Sequence, residues 1–73
     1  MGVIRLFDVV ALREDLSREG MLAGQVGTIV EVYNGGEAFE VEFVDPEGRT
    51  YGLLTLKPNQ LVTLHFEPSQ LAA

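Results

Sequence analysis

The sequence predicts an all-β protein, a small five-stranded barrel, and three observations carry that prediction. Short runs rich in β-branched and aromatic residues recur along the chain, most of them bounded by glycine, proline or asparagine. One of them alternates strictly, with Phe39, Val41 and Phe43 on one side and Glu40 and Glu42 on the other, the period of a half-buried strand. The third observation is the order of the connections: a long loop, then two tight turns, then a single short turn before the last run.

The elements follow in order. Residues 4–12 are rich in β-formers and read as the first strand. Residues 13–23 are polar and charged, with Ser17 and Gly20, and read as a long loop or one helical turn. Leu16, Met21 and Leu22 are expected to pin that loop to the body. Residues 24–33 form the second strand, where Gly24 and Gly27 suggest a bulge or a bend. Asn34-Gly35-Gly36-Glu37 calls for a hairpin with positive φ at its centre. Ala38–Val44 is the alternating third strand.

Asp45-Pro46-Glu47-Gly48 is a second turn, with Pro46 pre-set for the first corner and Gly48 free to adopt the left-handed region. Residues 49–56 make the fourth strand. Lys57-Pro58-Asn59-Gln60 is too short for an α-helix and fits one 3-10 turn. Residues 61–66 form the fifth strand, and residues 67–73 read as a loose tail. Strand, long loop, strand, hairpin, strand, hairpin, strand, 3-10 turn, strand is the order of an SH3-like barrel, with residues 1–66 as its single domain. A β-sandwich would want more strands. An OB-fold would want a helix between its third and fourth strands, where four residues are available.

A chain of 73 residues makes one domain and hides only about 60% of the surface that its unfolded form exposes. It has no cysteine and a single histidine, His65, so neither disulfides nor a histidine-rich metal site can reinforce it. Its stability has to come from apolar packing, closure of the sheet, or association. An apolar content of 47% suffices for a core and argues against disorder.

Eleven acidic residues against five basic give a net charge of −6. That field repels phosphate backbones and anionic membranes and attracts basic partners. No apolar run approaches the roughly 20 residues that span a bilayer. The start, MGVIRLFDVV, has an acid where a signal peptide would stay apolar, and no small-residue cleavage site follows. The expected location is the cytoplasm.

Two resemblances attach to these residues. Asp8-Val9-Val10 followed by Gly24-Gln25-Val26-Gly27-Thr28-Ile29-Val30 is similar to the glycine-punctuated pattern of KOW-type SH3-like modules. Such modules occur in ribosomal and transcription proteins. A second likeness covers most of the chain. Asp8-Val9-Val10-Ala11-Leu12, the run from Gly24 to Tyr33, the run from Phe39 to Asp45 and the run from Leu54 to Leu61 resemble the bacterial domain-of-unknown-function family 4926. That resemblance implies a short acidic protein with an SH3-like fold and a bacterial context. It supplies no catalytic residues, and it suggests a companion to another small gene product, as an antitoxin or immunity protein would be.

Catalytic chemistry finds no support in the residues. A nucleophile needs a base beside it, and the lone His65 lies in or next to the last strand. The carboxylates fall on strand faces and turns, where no apolar pocket raises a pKa. Asn34-Gly35-Gly36 joins two strands, whereas a phosphate-cradling loop leads into a helix. Asp45, Glu47 and Glu42 lack the spacing of an EF-hand loop. The sequence therefore predicts no catalytic residue, no cofactor and no metal.

Binding is the remaining class. A nucleic-acid surface needs a basic stripe, but Arg5, Arg13, Arg18, Arg49 and Lys57 are scattered among acids. A proline-rich peptide groove needs spare aromatics. There is no tryptophan, and several of Phe7, Tyr33, Phe39, Phe43, Tyr51 and Phe66 must serve the core.

The first hairpin is more informative. With Gly35-Gly36 as its tip, Tyr33 faces Ala38, Val32 faces Phe39, Glu31 faces Glu40, Val30 faces Val41 and Ile29 faces Glu42. Val30, Val32, Phe39 and Val41 then share the core face. Ile29, Glu31, Tyr33, Glu40 and Glu42 share the other, and two opposed glutamates mark it as a binding face for a basic partner. The expected function is that of a non-enzymatic acidic protein-binding module. The rival readings are a KOW-like module on RNA or ribonucleoprotein and a structural subunit of an enzyme complex. Self-association through an open strand edge is a further expectation.

Overall fold

The computed structural model describes residues 3–64. It is all-β, with five antiparallel strands in one sheet: β1 (Val9–Leu12), β2 (Val26–Tyr33), β3 (Ala38–Val44), β4 (Thr50–Leu56) and β5 (Leu61–Thr63). The strands lie in the order β4-β3-β2-β1-β5, and a 3-10 turn at Pro58–Gln60 precedes the last. Among the described residues, nine side chains form one core: Val10, Leu12, Met21, Ile29, Phe39, Val41, Phe43, Leu56 and Leu61. Every strand contributes to it, so the sheet wraps around its own inner face in the barrel-like form expected. Burying each of the larger side chains contributes about 1.5–3 kcal/mol.

Local chemistry sets the ends of the strands. β1 begins at Val9 rather than at residue 4 because Phe7 holds a left-handed φ of 72° that ends extended pairing. Its N–H still donates to the Ile29 carbonyl at 2.8 Å, while Asp8 accepts from Arg5 N–H and closes a small turn. β2 starts at Val26, two residues later than expected, because Gly24 turns the chain with φ of 90°. β4 starts at Thr50. β5 ends at Thr63, after which Leu64 N–H donates to the Val9 carbonyl at 2.9 Å. His65, Phe66 and the tail of residues 67–73 lie outside the described residues.

The long loop contains one 3-10 turn, Ser17–Glu19, and is clasped by reciprocal backbone bonds between Leu16 and Met21. Met21 is buried and Leu16 packs against the core. Leu22, expected to join them, is 63% exposed. The clasp explains this, since it turns Met21 inward and leaves its neighbour facing out. Both hairpin turns take the predicted form. Tyr33 carbonyl accepts from Gly36 and Glu37, with Asn34, Gly35 and Gly36 all at positive φ. Gly48, at φ of 86°, donates to the Asp45 carbonyl, and the Asp45 carboxylate accepts from the N–H groups of Glu47 and Arg49 at 2.9 Å each.

Candidate functional site

The predicted register holds from the tip of the first hairpin as far as Glu31. Tyr33 pairs with Ala38, Val32 with Phe39 and Glu31 with Glu40. Then a β-bulge intervenes. Ile29 pairs with Val41 and Thr28 with Glu42, so Val30 has no partner across the ladder. The surplus residue turns the preceding half of β2 over. Ile29 is consequently 0% exposed and belongs to the core, not to the outer face. Val30, expected in the core, is only half-buried. The period of two is interrupted here, and that is the physical reason for both corrections.

The other four residues of the predicted face, Glu31, Tyr33, Glu40 and Glu42, do come together. Across β2, β3 and β4, Glu31, Glu40 and Thr55 form one row of register partners, and Thr28, Glu42 and Leu53 form the next. Among the described residues, hydroxyl groups rather than cations approach two of these carboxylates. Glu40 accepts from Thr55 Oγ1 at 2.6 Å and from Tyr33 Oη at 3.3 Å, and Glu42 accepts from Thr50 Oγ1 at 2.5 Å. Among the described residues, both ion pairs belong to Arg49, with Asp45 at 3.6 Å and Glu47 at 3.3 Å. Neither involves the three glutamates. The Tyr33 phenol is pushed above its ordinary pKa of 10.0 by partial desolvation. The charge of Glu40, the hydrogen bond donated to it, and the charge of Glu31 add to that rise.

The same outer face changes character beyond the second row. Val62, Ala11 and Val26 form a row across β5, β1 and β2, and Val9 pairs with Thr28 beside it. Val9, Val26, Val62 and Leu64 are all exposed. The outer face is therefore acidic toward the hairpin tip and aliphatic toward the other end. Sequence reasoning paired only the first hairpin and so missed the aliphatic half. Its signal was present in Val9 and Ala11, which flank the inward Val10.

A separate cleft of about 500 Å³ opens between the N-terminal arm, the hairpin tip and the 3-10 turn. Val3, Ile4, Phe39 and Leu61 contribute apolar wall, and Arg13 is its one charged group among the described residues. Arg13 donates to the Leu61 carbonyl at 3.2 Å, which ties the long loop to β5.

A one-sheet antiparallel β protein with an acidic, hydroxyl-lined outer face is the class that this geometry defines. Within it, the model of a domain of unknown function, DUF4926, matches residues 6–63, most of the chain, and the protein belongs to that family. Comparison with curated proteins and with solved structures gave no significant match.

Proposed function

We propose that the protein is a non-enzymatic binding module whose outer sheet face, over Glu31, Tyr33, Glu40 and Glu42, receives a basic surface of another protein. The observation that supports this reading is three glutamates on adjacent strands of one face, none of them in an ion pair with a described residue. Opposed carboxylates cost stability, and a cation laid across them offsets that cost. The adjoining aliphatic rows add the apolar area that a lasting contact needs, so the favoured partner carries basic and apolar groups side by side. A role as accessory, antitoxin or immunity partner of another small protein in the bacterial cytoplasm belongs to the same proposal. The charge that attracts a basic protein disfavours RNA.

The test is recovery of the partner with tagged full-length protein from its native cell, identified by mass spectrometry. The double variant Glu31→Gln, Glu40→Gln is expected to weaken binding of the recovered protein at least about tenfold, with a shallower dependence on salt. Unchanged affinity and unchanged salt dependence would sink the proposal. Retention of the wild-type protein on a nucleic-acid column at physiological salt would favour the ribonucleoprotein reading instead.

A further inference from the structure

Phe7 occupies a backbone position that ordinarily belongs to glycine. Its φ is 72°, at the third place of a turn closed by Asp8 N–H on the Arg5 carbonyl at 3.0 Å. Phe7 N–H donates to the Ile29 carbonyl at 2.8 Å, and Ile29 N–H donates to the Asp8 carbonyl at 2.9 Å. Two residues thus oppose one of β2, in a β-bulge whose first residue lies in the left-handed region. Glycine enters that region freely, whereas a bulky side chain is strained there. Asn34, the other described non-glycine residue at positive φ, is of a type that tolerates it. The Phe7 ring is 71% exposed, so burial within the chain offsets little of its strain.

The place of this residue is as informative as its strain. Ile29, which holds the Phe7 N–H, lies between two rows of the outer face. Val9, Thr28 and Glu42 share the row on one side, and Glu31 faces Glu40 on the other. Phe7 therefore stands where β1 stops and the aliphatic half meets the acidic half. Leu6 and Val9, on either side of the Phe7–Asp8 bulge, are exposed as well. The turn carries one cation and one acid, Arg5 and Asp8, so the excess negative charge comes from the glutamates of β2 and β3.

We infer that Phe7 is the anchor of the interface and enters an apolar pocket, rimmed by lysine or arginine, on a folded protein other than this chain. The inference rests on the outer-face reading and adds where the contact is centred and what shape the partner has. A ring projecting from a backbone fixed by hydrogen bonds is buried only by a concave surface, which a folded partner presents and a short peptide does not. Glutamates without an ion pair to a described residue call for cations around that pocket. The same charge disfavours a second copy, since two molecules of net charge −6 repel.

Stability and binding are expected to move in opposite directions. Phe7→Gly and Phe7→Asn, both at ease in left-handed backbone, should unfold about 2–4 °C above the wild type. Against the protein recovered with the tagged full chain, each should raise the dissociation constant at least about tenfold. With p-benzoylphenylalanine in place of Phe7, irradiation in the native cell should crosslink the chain to that same protein. A lower unfolding midpoint in both variants overturns the inference, since the ring then serves the fold. Unchanged affinity in both overturns it too, as does a crosslink only to a second copy or to no protein. The two readings fail separately. Weakening by the Glu31→Gln, Glu40→Gln pair but not by the Phe7 variants removes the anchor and leaves the outer face. The reverse pattern removes the acidic face and its basic rim, and leaves the anchor.

Discussion

Glu31 and Glu40 face each other directly across the β2 and β3 ladder, and only Glu40 has hydroxyl donors to its carboxylate among the described residues. The pair is therefore asymmetric. Removing the charge of Glu31 relieves the repulsion and breaks no hydrogen bond. Glu31→Gln is expected to stabilise the protein by about 0.2–1 kcal/mol in urea denaturation at low salt, with the gain shrinking as salt is added.

Tyr33 reports on the same pair. Its raised pKa means that the folded state holds the phenolic proton more tightly than the unfolded chain does. The stability gained from this is fully present below pH 10.0 and is lost as pH rises through the higher folded value. Spectrophotometric titration should place the Tyr33 transition above that of a free phenol. Glu40→Gln should bring it down, because two of the causes act through Glu40.

Two glycines in the sheet separate backbone crowding from side-chain crowding. A Cβ at Gly27 would lie 2.7 Å from Val41 Cγ1 and 2.9 Å from the Glu42 carbonyl oxygen. Since a main-chain atom cannot step aside, Gly27→Ala is expected to cost about 1–3 kcal/mol. At Gly52 the tightest contact is the terminal methyl of Met21, which can swing away. Gly52→Ala should cost less than Gly27→Ala when their thermal unfolding midpoints are compared.

The second turn separates hydrogen bonding from surface charge. Asp45 accepts two backbone N–H groups, whereas its ion pair with Arg49 is exposed and long at 3.6 Å. Asp45→Ala is expected to cost about 1 kcal/mol, and Arg49→Ala no more than about 0.5 kcal/mol. Denaturant midpoints with unchanged slopes would verify both.

Much of this molecule is legible in its residues, because the devices involved are local. The alternation from Phe39 to Phe43, the glycines of the two turns and Pro58 at the 3-10 turn each act within a few positions, and each gives the element it predicts. What the sequence hides depends on neighbours distant along the chain. Phe7 leaves the extended region at a point where its N–H meets the carbonyl of Ile29. The aliphatic rows exist only once Ala11 lies between Val26 and Val62. Glu31 and Tyr33 were readable because they lie between the hairpin tip and the bulge, and Glu40 and Glu42 because β3 alternates without a break through them. Ile29 was misplaced because one unpaired valine reverses the count.

That valine has a consequence for how β2 aligns with its neighbours. On one side of Val30 the strand serves both β1 and β3; on the other it serves β3 alone. Sliding β2 by one residue would turn both halves inside out. Sliding it by two would move the surplus residue away from the place where β1 stops. The hairpin has one alignment in which both halves keep their apolar side chains covered. A residue gained or lost inside β2 would turn one half of the strand to the wrong face.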